Sequence, residues 1–579
     1  MANVQRRQDE IAALARGKAS PTPRAIRVLR KRLRSLNLWP TSFDRLDPDK
    51  SDVLTRARAL AAPEDRAFFD PLTAYDAWIE VNRPTEASRA DLREALRGTL
   101  GLPKLSIVTP VYNTPSPLLS AMVDSVFGQI YENWELCIAD DASAAPETQA
   151  YLATLEARDP RVRITRRPRN GGISEASNSA AALATGEVLV FVDHDDLITE
   201  DCLAEIALYY ARRPDADIVY TDDDKIDMDG RRFAPQFKPD WSPTLLLSYM
   251  YMSHTLTVRR GLFESLGGFR KAFDGSQDYD FALRAAEKAA HIGHIPRILY
   301  HWRATPVSTA SSGAAKPESF LAGQRAVQEA IDRRGLRGTV AHPDWAREAN
   351  VGMFAVSFPD NGPSVTIIIP TFNQAALLRD CLAALTHTTY ANYDVLVVDN
   401  GSDDPATLVL LAEIGSRQNH RVTRIPKVDG VFSFAALMNT AVDQATGDLV
   451  LLLNDDTRVI NPAWLSQMVG YQSMEGVGSV GARLYFEDGS IQHAGIVHGF
   501  NDGLVGHAFR GAPNHSWGYM GFIRTAREYS AVTAACVLTP RALFQAVGGF
   551  DAENFAVAYN DFDYGFRLFE CGLRNIYCP

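Results

Sequence analysis

No C-x-x-C pair occurs among the six cysteines of this 579-residue chain: Cys137, Cys202, Cys381, Cys536, Cys571 and Cys578. Their scatter argues against a thiolate zinc site or a disulfide frame and suits a reducing compartment. No apolar run approaches the ~18 residues needed to span a bilayer. The first ten residues lack the apolar core of a secretory signal. Positive charge is not in surplus either; the net charge is −11, so the chain as a whole carries no nucleic-acid footprint. What remains is ordinary globular protein, 46% hydrophobic and 22% charged, able to bury sizeable cores. At roughly 100–200 residues per domain it is long enough for several units or a few large ones. A cytoplasmic location, or a peripheral one on the inner face of the cytoplasmic membrane, is expected.

The chain does possess a long internal repeat. Pro110-Val111-Tyr112-Asn113 returns as Pro370-Thr371-Phe372-Asn373, 260 positions on. Asp140-Asp141-Ala142-Ser143 returns as Asp399-Asn400-Gly401-Ser402 at offset 259. Asn178 returns as Asn439, and Asp193-His194-Asp195-Asp196 as Asn454-Asp455-Asp456-Thr457, both at 261. Gly267-Gly268-Phe269 and Asp278-Tyr279-Asp280 return as Gly548-Gly549-Phe550 and Asp561-Phe562-Asp563, at 281 and 283. The period is far beyond the roughly 20–50 residues of solenoid repeats, so a whole domain is duplicated.

Residues 1–100 differ in texture. Residues 1–40 hold ten Lys/Arg against two acids, Asp9 and Glu10. Ile26, Leu29, Leu33 and Leu36 recur at helical spacing among arginines. Such a helix can lie on an anionic membrane or pack on the protein with its charges solvated. A further helix is expected over 86–96. From about residue 104, short apolar runs at 105–109, 135–139 and 188–192 alternate with helical stretches at 117–129, 145–157 and 174–184. Continuous apolar runs suit strands buried on both faces, and the alternation predicts an α/β parallel sheet. Residues 365–369, 395–398 and 449–453 predict the same strands in the second copy. Ligands of such sheets sit at the carboxyl ends of the strands, where every repeated polar motif falls. The expected domains are a helical region at 1–100, a first domain at 101–303, a helical linker at 304–363 and a second domain at 364–579.

Several acids directly after a buried strand repel one another unless a cation intervenes, and a divalent cation with oxygen ligands would bridge to phosphate. The bland alternative for Asp193–Asp196 is a solvated turn or a helix cap; the return of the motif after a second aliphatic strand favours metal–phosphate work. Asp278 and Asp561 open helices, where aspartate is favoured as a plain cap. Because acids at i and i+2 cannot share a helix face, one can cap while the other projects as a general base.

Together these motifs resemble glycosyltransferase family 2, inverting enzymes of the GT-A fold (a Rossmann-like nucleotide-diphospho-sugar transferase fold), over about 104–303 and again 364–579. The resemblance implies two tandem GT-A domains. It implies that Tyr112 and Asp141 hold the nucleotide base with Asp140 beside them. Asp193 and Asp195 would serve ribose and a metal-bridged diphosphate, with His301 as a third metal ligand and Asp278 as catalytic base. In the second copy the matching positions are Phe372, Asp399, Asn400, Asn454 and Asp455 for the nucleotide sugar, Asp456 for the metal and Asp561 for the base. The implied cofactor is Mn²⁺ or Mg²⁺. The donors would be UDP- or dTDP-sugars and the acceptor a growing, lipid-linked bacterial surface glycan of O-antigen or capsule type. No nucleic-acid partner is implied. Asn400 for Asp141 and Asn454 for Asp193 leave open whether the second copy uses another nucleotide or only binds. The partner of His301 falls about five residues past Pro579, so a truncated second domain is expected.

Three further features carry less. Gly476-Val477-Gly478-Ser479-Val480-Gly481 fits G-x-G-x-x-G but follows a helix-like stretch, so a dinucleotide site is not expected. His493, His498, His507 and His515 crowd one insertion without zinc spacing; an acceptor-facing loop is expected there. Tyr220–Lys225 reads either as an acceptor contact or as a solvated acidic turn.

Overall fold

The computed structural model describes residues 71–305, 317–427, 430–499 and 504–579. The expected basic helix near 24–38 lies outside them. The described chain divides into two compact units, one of residues 71–334 with 340–356, the other of 335–339 with 357–579. Among the described residues no helix is long and apolar enough to cross a membrane.

The first unit is built on β1 (Leu105–Val111), β2 (Trp134–Asp140), β3 (Val162–Arg166), β4 (Val188–Phe191), β5 (Leu197–Ile198), β6 (Ile218–Ile226), β7 (Arg232–Gln236), β8 (Leu256–Arg259) and β9 (Ile292–Arg303). The strand order is β3-β2-β1-β4-β8-β6-β9-β5, with β7 beside β6. Strands β1 and β2 are buried on both faces, and most of their side chains are apolar. Strands β3, β2, β1 and β4 run parallel, as expected. Beyond β4 the sheet is mixed: β8 is antiparallel to both β4 and β6. Apolar runs report burial and not direction, so the sequence could not show this reversal. The chain moves outward from β1 to β3 and returns to β4 on the other side of β1, which makes the β1/β4 boundary the topological switch point.

Among the described residues two helices precede β1, Pro71–Asn82 and Glu86–Gly98. The second starts at a reciprocal cap, Thr85 with Ser88, and lays Leu92 and Leu96 against the first core. The helix Pro317–Arg333, expected in a linker, belongs to the first unit. Its Glu329 bonds Arg270 at 2.7 Å and its Arg333 bonds Glu287 at 2.8 Å.

The second unit repeats the plan with β10 (Val365–Thr371), β11 (Tyr393–Asp399), β12 (His420–Arg424), β13 (Leu449–Leu453) and β14 (Val477–Ala482). Two small ribbons follow, β15 (Leu484–Tyr485) with β16 (Ile491–His493) and β17 (Ile496–Gly499) with β18 (Leu504–His507). Then come β19 (Arg527–Tyr529), β20 (Cys536–Pro540) and β21 (Arg574–Cys578). The order β12-β11-β10-β13-β20-β14-β21-β19 matches the first sheet as far as β21. Strand β21 lies parallel to β14 as β9 lies parallel to β6.

Much of the repeat is scaffolding. Asn178 clasps the Gly-Gly-Phe turn: its Nδ2 donates to Phe269 O at 2.8 Å and its Oδ1 accepts Phe269 N–H at 2.9 Å. Asn439 does the same for Phe550, at 2.8 Å in both directions. A Cβ on Gly268 or Gly549 would stand 2.4 or 2.5 Å from that amide oxygen, and both glycines have positive φ. Asn178→Ala strands a buried N–H and a buried C=O, so it should destabilise the first unit by about 2–4 kcal/mol. Denaturant melts of the two units, with Asn439→Ala as the matching change in the other, measure this.

Candidate active sites

Strands β1 and β4 stay paired only from Leu105/Val188 to Val108/Phe191. Past that point their carboxyl ends part, and polar side chains take over the exposed main chain. Asn113, at φ 49, accepts Ala144 and Ala145 N–H on Oδ1 at 2.7 and 3.0 Å. Ser143 accepts Asn113 N–H and donates its own N–H to Asp140 Oδ1. Asn373, Ser402 and Asp399 repeat the arrangement. Asp140 and Asp399 therefore hold the turn itself.

Asp141 closes the adjoining loop. Its oxygens accept Gly171 and Gly172 N–H, both at 2.9 Å, and meet Arg167 Nε at 2.8 Å. Tyr112, beside it, is half exposed. In the second unit Asn400 Nδ2 instead donates to Ile425 O at 2.9 Å, while its buried Oδ1 has no partner among the described residues. Phe372 also stands exposed, with Lys427 Nζ 3.8 Å above its ring. The two loops thus offer different chemistry, a saturated carboxylate in one and an open amide oxygen in the other.

The acidic turn after β4 gathers the first unit's candidate cation ligands. Asp193, Asp196 and His254 each present a ligand atom within 4.8 Å of the others. Asp196 is buried; Tyr300 O–H donates to its Oδ2 at 2.5 Å and Arg303 N–H to its Oδ1 at 2.7 Å. Burial, then the charges of Asp193 and Asp195, hold its carboxyl well above the usual range. A cation would relieve that repulsion. His254 stacks on Tyr300 at 4.9 Å, and burial, with Lys238 nearby, pushes its imidazole down to about 3, leaving it neutral and able to ligate. These residues therefore fit a divalent cation.

His254 carries no sequence signal, since the second copy does not repeat it. His301 and Asp195 lie outside the three-residue group. His301 pairs across strands with Leu197, two residues after Asp195, and its Nδ1 lies 2.5 Å from Asp224 Oδ1. The main-chain oxygen of Asp195 accepts Arg303 Nε–H at 2.7 Å.

Asp278 sits in the first turn of the helix Gln277–Ala286, with Oδ1 accepting Tyr279 N–H at 2.9 Å. Burial raises its carboxyl above the ordinary range. Asp280, two residues on, is buried in ion pairs with Arg270 and Arg284. The paired acids thus differ in their surroundings, and Asp280 is an ion-pair partner and not a cap. Asp561 repeats the position on Asn560–Glu570: burial raises its carboxyl, Ala534 N–H donates to its Oδ2 at 3.1 Å, and Asp563 pairs with Arg567. The next residue, Ala535, accepts Asn454 N–H on its carbonyl at 3.0 Å, so residues 534–535 tie the Asp561 helix to the turn after β13.

Strand register matches β20 to β8 and β13 to β4. On that register Asn454, Thr457 and Ala535 replace Asp193, Asp196 and His254, leaving Asp455 and Asp456. The second unit does not reproduce the candidate cation set of the first.

The remaining motifs resolve structurally. Gly476–Gly481 runs into β14 itself, with no strand before it and no helix after. Tyr220–Lys225 is neither a turn nor solvated. It lies in β6 with Asp222 held by His294, Asp223 by Lys238 and Asp224 by Arg232, and these partners are what permit three consecutive buried acids. Buried His493 meets half-buried His507, Nδ1 to Nδ1 at 2.9 Å, and His498 meets Ser530. Burial pushes His493 well below and His507 down to about 4, so this pair is neutral core and not an exposed loop.

A model of the family described as "Glycosyl transferase family 2" matches residues 106–272 and 366–547. The uncharacterized protein y4gI of Sinorhizobium fredii is 38% identical over 590 residues, covering 100% of this chain and 64% of its own length. The O-antigen biosynthesis protein RfbC of Myxococcus xanthus is 36% identical over 506 residues, covering 87% of this chain and 39% of its own length. A hyaluronan synthase of Pasteurella multocida is 27% identical over 238 residues, 41% of this chain and 24% of its own length. The chain thus spans less than two thirds of each of these relatives.

Raised carboxyl groups at Asp278 and Asp561 disfavour the folded state once they ionise. Their contribution to stability is present below the unfolded pKa and lost as pH rises through the higher folded value. Asp278→Asn and Asp561→Asn should therefore melt at or above the wild-type temperature at pH 8, with the difference closing towards pH 4. Thermal melts across that range measure the effect.

Proposed function

Because this chain belongs to glycosyltransferase family 2, we propose that it transfers sugars from nucleotide-sugar donors to a growing, lipid-linked bacterial surface glycan, with an inverting transferase site in each unit. The reading of the first site is carried by the meeting of Asp193, Asp196 and His254 where β1 and β4 part. Likeness to an O-antigen biosynthesis protein and a hyaluronan synthase supports a polysaccharide product. Work at the cytoplasmic face of the membrane, with UDP- or dTDP-sugars as donors, belongs to the same proposal.

The residues divide the chemistry as follows. Tyr112 and the loop closed by Asp141 receive the base. Asp193, Asp196 and His254, with Asp195 and His301 alongside, would hold Mn²⁺ or Mg²⁺. A bound cation of this kind supplies charge neutralisation for a leaving diphosphate. Asp278 takes the proton of the acceptor hydroxyl as that oxygen attacks the sugar carbon from the face opposite the diphosphate. Its raised carboxyl makes it a stronger base than an exposed aspartate, and the acid limb of the rate profile moves up with it.

In the second unit Phe372, Asp399, Asn400, Asn454 and Asp455 would line the donor pocket and Asp561 would be the base. Asn454, Thr457 and Ala535 do not fit the cation set of the first unit, and no step is drawn through a metal there, Asp456 notwithstanding. That observation favours a second reading, in which this unit is a non-catalytic copy that holds nucleotide or glycan.

Asp278→Asn should lower kcat by about 10²–10⁴, the usual contribution of a general base. Asp561→Asn made separately decides between the readings: a second transfer activity lost alone supports two catalytic sites, and a silent change supports the holding copy. Full turnover by Asp278→Asn would remove the base assignment. A thermal-shift screen of UDP-, GDP- and dTDP-sugars with Mn²⁺ or Mg²⁺ identifies the donors.

A further inference from the structure

The two copies end one strand pair differently. In the second unit the ladder between β13 and β20 runs on to Leu453/Cys536, and a further main-chain bond closes its end: Asn454 N–H donates to Ala535 O at 3.0 Å. In the first unit the matching ladder, β4 with β8, stops at Val190/Thr257. Asp193 and His254 lie three residues beyond that pair, at the register positions of Asn454 and Ala535. The two groups that would close the end have other partners there. Asp193 N–H donates to Tyr300 Oη at 3.2 Å, and His254 O accepts Lys238 Nζ–H at 2.8 Å.

Both of these partners come from outside the pair. Tyr300 reaches over from β9, which the strand order β4-β8-β6-β9 places two strands beyond β8. Its hydroxyl has one proton, and with Oη accepting from Asp193 that proton goes to Asp196 Oδ2 at 2.5 Å. Arg303 N–H holds Asp196 Oδ1 at 2.7 Å, so the plane of that carboxylate is set. The Tyr300 ring stacks on His254 at 4.9 Å, and Trp302, two residues along the strand, lies 5.1 Å from the same imidazole. One side chain thus touches all three members of the candidate cation set. Lys238 is wholly buried, and its ammonium pairs with Asp223 at 2.6 Å and donates to Ser253 O as well as to His254 O. A buried lysine is costly even when paired, and this one fixes the two carbonyls of the turn that carries His254.

We propose that Tyr300 and Lys238 are positioning residues that hold the end of the β4/β8 pair open. Each takes one half of the hydrogen bond that closes the same place in the second unit, which keeps room for a divalent cation between Asp193, Asp196 and His254. The inference rests on the reading of the first unit as cation-dependent.

The test titrates Mn²⁺ into the full chain, with and without UDP. Free Mn²⁺ is followed by EPR, and nitrogen ligation of the bound ion by electron spin echo modulation. The wild type should show nitrogen modulation, and His254→Ala should remove it. Tyr300→Phe keeps the ring on His254 and removes only the hydroxyl; it should weaken Mn²⁺ by about 10–100-fold, the usual range for a residue behind a ligand. Lys238→Met combined with Asp223→Asn removes the buried pair together and should weaken Mn²⁺ in the same direction. Wild-type affinity in Tyr300→Phe overturns the proposal while leaving the cation-dependent reading intact. Mn²⁺ uptake that His254→Ala leaves unchanged also overturns it, because the opened end would then not house the ion. A wild-type chain that takes up no Mn²⁺ even with UDP removes both. If the double variant fails to fold, Tyr300→Phe decides alone.

Discussion

The early parting of β1 from β4 is the constraint on which the rest of each unit depends. A parallel sheet buried on both faces has no water to satisfy its main chain, so the place where two neighbouring strands diverge must be furnished with polar side chains. Asn113, Asp140 and Ser143 do this on one side of the gap, and Tyr300 and Arg303 on the other. Asn373, Asp399 and Ser402 serve the second unit alike. The gap exists to end a ladder, yet it gathers carboxylates and main-chain donors into one crevice, and a phosphate-bearing ligand with its cation suits such a crevice. The scaffold and the chemistry draw on the same residue types for different reasons.

Electrostatics then separates them. Acids with a fixed cation are structural: Asp280 with Arg270 and Arg284, Asp563 with Arg567, Asp223 with Lys238. Acids whose carboxyl is raised and whose neighbours are acidic or neutral are the ones proposed to take part in the chemistry: Asp196, Asp278 and Asp561. Both units keep a carboxyl raised by burial at the Asp278/Asp561 position, and the first alone, among the described residues, keeps a set suited to a cation.

Much of this was legible in the sequence because the duplication acted as a filter. Landmarks found twice marked strand ends, and the apolar runs at 105–109, 188–192 and 449–453 became strands within two residues. The filter failed where the copies differ. His254 has no counterpart but Ala535, so repetition could not flag it. The three acids of β6 looked solvated because their partners, Lys238, Arg232, His294 and His301, lie 8 to 77 residues away in sequence. Strand direction beyond β4 was hidden for the reason that periodicity encodes faces and not polarity. Asn178 and the Gly-Gly-Phe turn were visible as landmarks, but sequence spacing could not show that they clasp each other.

That clasp has an evolutionary side. Asn178 and Gly268 are ninety positions apart, and neither can change first without stranding a buried peptide group or forcing a clash. Such a pair is a two-key lock, in which either change made alone carries a cost in stability. Both locks are present, at Asn178/Gly268 and at Asn439/Gly549, while the copies differ at Asp193, Asp196 and His254, where the second has Asn454, Thr457 and Ala535. The chain therefore holds its own comparison between residues frozen by packing and residues free to follow a change of ligand.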